Sequence, residues 1–287
     1  MKIYEAEKVC LEDIKFFNRK RYKLPFRLIL QRKKIHAFCV GTPKSGTHSV
    51  ANLFSNFRTK HEPSQIFMIY LMKRKKDGDI SEKEIKNIFN SANIAQWLEM
   101  NSSHYNGFFI EELYSTFRNA KYILTIRDPI SWIDSWFNHQ LSRENYAPDT
   151  MFDLGRRLYY DRGHNYSKHD AFLEALNIFP IRSYFEFWHD HNKKILNTVP
   201  KEKLMIVKTK NISSSINDFS SFLGIDEKDV CNTESHGYKA RGKHHILSKI
   251  DKNYLLDLAL ETCGELNDQY FSETPISSQV EKYSSEL

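Results

Sequence analysis

Glycine and proline are scarce in this chain, at 10 and 8 of 287 residues, which favours long regular elements over a loop-rich fold. Cysteine is scarcer still. Cys10, Cys39, Cys231 and Cys263 lie far apart and form no CxxC, so neither a zinc site nor a disulfide framework is suggested. The first residues, "MKIYEAEKVCLEDIKFF", lack the apolar centre of a signal peptide. No run approaches the roughly 18 apolar residues that a membrane span requires. The resulting expectation is a soluble, cytoplasmic protein. Charge of one sign is in slight excess only: 42 Lys+Arg against 36 Asp+Glu give +6. That suits an anionic ligand but, without a dense basic patch, gives no ground for a nucleic-acid partner.

What is present is an ordinary globular composition, 40% hydrophobic and 27% charged, with 20 Phe and 15 Tyr. A chain of this length buries a full core, as one large domain or two small ones. Residues 1–34 form a basic lead-in, in which "FFNRKRYKLPFRLILQRKK" mixes eight Lys/Arg with aromatic residues. The mixture could suit a membrane surface or a polyanion, but the reading placed first is an amphipathic helix packed on the body with its charges in water. "IHAFCV" (35–40) and "KYILTI" (121–126) read as strands buried on both faces, and "KLMIVKT" as a third. Cys39, inside the first, reads as a small buried hydrophobe. Helices follow each strand: "THSVANLFSNF", "PISWIDSWFNHQL" with Asp128 as N-cap and Pro129 at its first position, and "NDFSSFLGI" closed by Gly224. "IFMIYLMKRKKDGD" and "SYFEFWHDHNKKIL" read as two further helices. The expected fold class is therefore α/β, a central, mainly parallel sheet flanked by helices. Ligands of such sheets bind outside the carboxyl ends of the strands.

One loop begins there. In "CVGTPKSGTHSV" (39–50), Gly41 and Gly46 have the spacing of the phosphate-binding pattern GxxxxGK[ST]. The lysine and hydroxyl residue that the pattern needs next are replaced by Thr47 and His48, and a lysine stands inside the loop as Lys44. No acidic strand ending of the kind that holds magnesium is evident either, which weakens the case for a kinase-type phosphotransferase acting on Mg-ATP. Backbone N–H groups at the start of the following helix, with Lys44, Ser45, Thr47, His48 and Ser49, still offer many donors to an anion.

"TPKSGTHSVANLF" strongly resembles the 5′-phosphosulfate loop of the sulfotransferases, which runs "PKSGTTW" or close to it. The family's second motif, an arginine at a strand end and a serine eight residues on, is matched by Arg127 and Ser135 in "IRDPISWIDS". The resemblance spans about 35–250. It implies a P-loop-NTPase-like sulfotransferase fold over 35–274, with 1–34 as a basic extension and 275–287 as a polar tail. It also implies transfer of a sulfuryl group from 3′-phosphoadenosine 5′-phosphosulfate (PAPS), with adenosine 3′,5′-bisphosphate (PAP) as product and no metal required. Thr42, Pro43, Lys44, Ser45, Gly46, Thr47, His48 and Ser49 would then hold the phosphosulfate, and Arg127 and Ser135 the 3′-phosphate. Arg241 and Lys243, in "YKARGKHHILSK", match the late basic segment that covers the nucleotide. His48 and Ser49 depart from the family's Thr-Trp, which puts the adenosine and acceptor pockets in question.

An acceptor hydroxyl needs a base within hydrogen-bond reach. Glu62, in "KHEP", resembles the glutamate of Golgi-type carbohydrate sulfotransferases. His104 lies 23 residues before Arg127, near the distance of the catalytic histidine in the cytosolic enzymes. Glu62 is placed first as base, with His104 orienting the acceptor or the sulfuryl group. Each has a structural alternative: a turn before Pro63, and a hydrogen-bonded supporting histidine. Glu99 and Asn101 are expected near the same strand end. The segment 143–172, rich in Tyr, Arg and His and without evident helical pattern, reads as an acceptor-lining or lid loop. The expected acceptor hydroxyl belongs to a glycan or glycolipid, with a small alcohol or phenol as the alternative. The oligomeric state is not legible.

Overall fold

The computed structural model describes residues 1–22, 32–231 and 242–284. The lead-in opens with helix α1 (Ile3–Tyr22), which buries Cys10 and sets Phe17 edge-on against Phe67. Much of the basic stretch (23–31) lies outside the described residues. Strand β1 (Ala37–Cys39) is wholly buried, and α2 (Thr47–Leu53) follows with Val50 and Leu53 against the sheet. Strand β2 (Thr59–His61) leads into α3 (Gln65–Asp77), which ends in a basic turn closed by left-handed Gly78. Helix α4 (Glu82–Gln96) starts in a capping box between Ser81 and Glu84. Strand β3 (Met100–Ser102) and the short helices α5 (Tyr105–Phe108) and α6 (Ile110–Thr116) precede β4 (Lys121–Ile126). Helix α7 (Pro129–Leu141) begins as the sequence predicts, with Asp128 accepting from the Ser131 N–H and Pro129 at its first position.

The expectation for 143–172 needs correction. Helix α8 (Met151–Tyr160) fills its middle, capped by the Thr150 side chain, and α9 (Phe172–Ala175) ends it. Gly155 hid the helix from a sequence reading, because glycine disfavours helix interiors. Here a Cβ would come within 3.1 Å of Ile69 Cδ1, so the small residue serves close approach of α8 to α3. Helix α10 (Ile181–Thr198), β5 (Leu204–Lys208), and α11 (Ile216–Leu223), closed by Gly224, follow as expected. Helix α12 (Lys252–Phe271) then packs on α10. The stretch expected as a polar tail forms α13 (Ile276–Ser284), which buries Ile276 and Val280. Among the described residues no helix is long and apolar enough to cross a membrane.

All described strand pairs are parallel, in the order β2-β3-β1-β4-β5. Three of these strands are legible as apolar runs, whereas β2 and β3, each three residues long, leave no such run. Along β4, Tyr122, Leu124 and Ile126 enter the larger core with Trp188 and Phe187 of α10. Ile123 enters the second core with Val50, Val207 and Phe219. Helices therefore cover both faces of the sheet. From β1 the chain moves outward to β2 and back through β3, then crosses to β4 and β5. The switch point lies between β1 and β4, where the loop after β1 and Arg127 after β4 emerge side by side.

Candidate active site

At this edge of the sheet lies a cavity of about 770 Å³, and the loop after β1 forms its floor. The loop is bolted down through its carbonyls. Trp132 Nε1 donates to Pro43 O at 2.6 Å, Arg127 Nη1 to Lys44 O at 3.4 Å and Thr209 Oγ1 to Ser45 O at 2.6 Å. Ser45 Oγ donates to Thr42 O at 2.7 Å and lies 2.8 Å from Thr125 Oγ1. The side chains of Thr42 and Ser45 are thus turned into the protein, away from the place expected of them, and shape the loop from beneath. Gly41 is obligatory, since a Cβ there would lie 2.0 Å from Thr125 Oγ1. Gly46 caps α2 at φ 107°, a left-handed value that side chains resist. The first helical bond is Val50 N–H to Gly46 O. The N–H groups of Thr47, His48 and Ser49 belong to the first turn of this helix, whose positive end meets the cavity.

Pro43, Lys44, Gly46, Thr47, His48 and Ser49 line the cavity. Lys44 is itself left-handed, at φ 65°, a strained conformation for a long side chain. Burial, then the charges of Arg127 and Arg143, lower its ammonium to about 8, against the opposing pull of Glu62. Arg127 Nε donates to Ser131 Oγ at 3.0 Å, and Trp188 Nε1 fixes the Arg127 carbonyl at 2.9 Å. Ser135, two turns into α7, and Lys243 line the same cavity. Arg241 lies outside the described residues. Arg143 was not singled out from the sequence, because it follows α7 in the segment read as a loop.

The two candidate bases, 42 residues apart in sequence, are hydrogen-bonded to each other: His104 Nδ1 lies 2.7 Å from Glu62 Oε1. Parallel pairing of β2 with β3 places them together, since Glu62 follows the first strand and His104 stands two residues after the second. Glu62 N–H donates to Ser102 O at 2.9 Å, and Glu62 holds φ 46°. Burial works to raise its carboxyl. His104 by charge and hydrogen bond, then His61 and Gln65, outweigh burial and hold it at about 2. An ionised carboxylate only accepts, so the bonded His104 Nδ1 carries a hydrogen, and the other ring nitrogen, Nε2, is the one left to exchange a proton.

Aromatic rings complete the wall. Tyr105, Trp136, Tyr146, Phe152 and Tyr159 line the cavity, and Tyr159 stands 5.8 Å from the His104 ring. Burial raises the Tyr105 and Tyr159 phenols, and the Glu62 charge adds to it. His61 and His139 also reach the cavity and escaped the sequence reading, since a lone histidine carries no pattern. Burial lowers them to about 4 and about 3. Glu99 needs correction: it precedes β3 and pairs with Arg58 at 3.1 Å, at the opposite end of the sheet. His191 is structural, bonding Val40 O at 2.8 Å beneath the loop. Among the described residues no group of three or more His, Cys, Asp or Glu side chains is arranged to hold a metal ion.

A family model described as "Sulfotransferase domain" matches residues 36–230. The chain belongs to this family. The matched stretch of the sulfotransferase domain contains every candidate site residue except Arg241 and Lys243. Over 108 residues the chain is 29% identical to "Ava biosynthesis cluster protein M" of Aspergillus versicolor, a match covering 34% of this chain and 40% of that protein. A sulfotransferase from Alicyclobacillus acidocaldarius is similar at 13% identity and TM-score 0.48, over 82% of this chain and 95% of that one. The sulfotransferase domain from the curacin biosynthetic pathway is similar at 16% and 0.41, over 88% and 97%. Mouse sulfotransferase SULT7A1 complexed with PAP is similar at 15% and 0.35, over 90% and 94%.

Proposed function

We propose that this sulfotransferase moves the sulfuryl group of PAPS to an acceptor hydroxyl. The observation that carries the reading is the crowding of Lys44, Arg127 and Arg143 around one loop at the switch point. Burial and like charge hold Lys44 low, so an anion bound among the three relieves their repulsion. The loop N–H groups and the side chains of Thr47, His48 and Ser49 suit the 5′-phosphosulfate. Arg127 and Ser135 suit the 3′-phosphate, with Lys243 of the same cavity beside the nucleotide and Arg241 added on the family resemblance alone.

PAPS supplies a sulfur whose bond to the bridging oxygen breaks while a bond to the acceptor oxygen forms. Lys44 meets the negative charge that grows on the bridging oxygen, where binding lowers the barrier. His104 Nε2 takes the acceptor proton, and Glu62 fixes the tautomer and steadies the cation that results. This reverses the order expected from sequence. A carboxyl held near 2 is a weak base, whereas a carboxylate-oriented imidazole is the arrangement of Asp and His in serine proteases. The rings of Tyr146, Phe152 and Tyr159 offer flat faces to an acceptor beside His104. They support a sugar hydroxyl, the acceptor class to test first, and accommodate a planar alcohol as well.

The deciding experiment is a calorimetric titration with PAP, with and without magnesium, on wild type and Arg127→Ala. Metal-independent micromolar binding, lost in the variant, is the expected result. Binding of Mg-ATP in preference to PAP would return the site to a kinase-type phosphotransferase.

A further inference from the structure

His61 ends β2 directly before Glu62, and nothing in the motifs gives it a role. Its Nε2 lies 3.1 Å from Thr47 Oγ1 and 3.6 Å from Glu62 Oε1. The same nitrogen thus faces the loop on one side and the base pair on the other. Thr47 is 4% exposed, and Ser102, the register partner of His61, donates from Oγ to Thr47 O at 2.6 Å. The backbone beneath the Thr47 hydroxyl is therefore held by the strand that pairs with β2. His48 packs edge-on against the His61 ring at 5.0 Å.

The tautomer follows from the partners. Burial keeps the His61 ring neutral above about pH 4, with His48, His104 and Lys44 adding to the effect against Glu62. A neutral imidazole has one N–H. A lone pair on Nε2 would face a carboxylate oxygen, whereas a hydrogen there is attracted by Glu62 and accepted by Thr47. With its oxygen accepting from His61, the Thr47 hydroxyl directs its own hydrogen elsewhere, and Thr47 lines the cavity.

We propose that His61 is a positioning residue for the donor: it holds Thr47 as a hydrogen-bond donor toward the group on the 5′ oxygen of the bound nucleotide. The inference rests on the PAPS reading of the loop. It also ties the loop to the base pair, because one imidazole contacts both.

The test uses two ligands, PAP and adenosine 3′-phosphate, which lacks the 5′-phosphate. Titrations compare wild type, His61→Gln, His61→Asn, Thr47→Val and the His61→Asn/Thr47→Val double variant, with melting curves for each. A glutamine amide reaches the place of Nε2 and still donates to Thr47, whereas asparagine is too short. The expected result is a loss of about tenfold in PAP affinity for His61→Asn, the lower end of what a hydrogen bond to a charged group contributes. His61→Gln stays near wild type, adenosine 3′-phosphate binds all variants alike, and the double variant loses no more than Thr47→Val alone. Unchanged PAP affinity in His61→Asn overturns the proposal and leaves the donor assignment standing. Equal losses on both ligands, or a variant that fails to fold, make His61 a structural residue and overturn it too. Absence of PAP binding in the wild type removes the donor assignment and this inference with it.

Discussion

Replacing Glu62 by glutamine removes a charge while keeping a side chain of the same shape, and the structure sets the scale of the effect. The Glu62 carboxyl stands at about 2 against an ordinary 4.5. At about 1.4 kcal/mol per tenfold change in proton affinity, the folded protein favours the ionised form by about 3 kcal/mol. Burial opposes that preference, and His104, His61 and Gln65 supply it. Glutamine mimics the neutral acid and forfeits the difference. The sign with pH follows from the depressed value: the stabilisation is complete above the unfolded value of 4.5 and disappears as pH falls toward 2. Melting curves of wild type and Glu62→Gln from pH 8 to pH 3.5 should therefore show a gap of roughly 5–10 °C at neutral pH. The gap should narrow below about pH 4.5. A variant as stable as wild type at pH 7, or a gap indifferent to acid, would refute the stabilised Glu62 carboxylate.

Further outcomes are expected at the loop and the base. PAP affinity should fall about tenfold for each pH unit above 8 as Lys44 loses its proton, and Arg143→Gln should move the fall to higher pH; a flat profile on titration would remove Lys44 from the anion. Gly46→Ala places a Cβ 2.3 Å from Ile212 Cδ1 on a left-handed residue, so a destabilisation of about 2 kcal/mol and loss of PAP binding are expected from urea melts and calorimetry. His104→Ala should lower PAPS turnover at least about a hundredfold while leaving PAP affinity intact. If Glu62→Gln is the more damaging of the two in the same assay, the proton goes to the carboxylate.

Elements whose signals are local are legible in the chain alone. The buried run of β4, the Asp128–Pro129 start of α7, and the glycines 41, 46 and 224 all stand where a short window predicts them. All but Gly41, which Thr125 of β4 requires, reflect a contact or dihedral confined to a few residues. Lys44, Glu62, His104 and Arg127, which short motifs single out, all line one cavity. Strands β2 and β3, at three residues each, are too short to display a period, and Gly155 masked α8. That Glu62 and His104 are partners emerges only in the fold, because parallel pairing across a crossover leaves no trace in local periodicity. The same holds for Arg143, His61 and His139. Their roles come from which charges and hydroxyls the folded sheet edge brings within a few ångströms, and burial then sets how strongly those neighbours are felt.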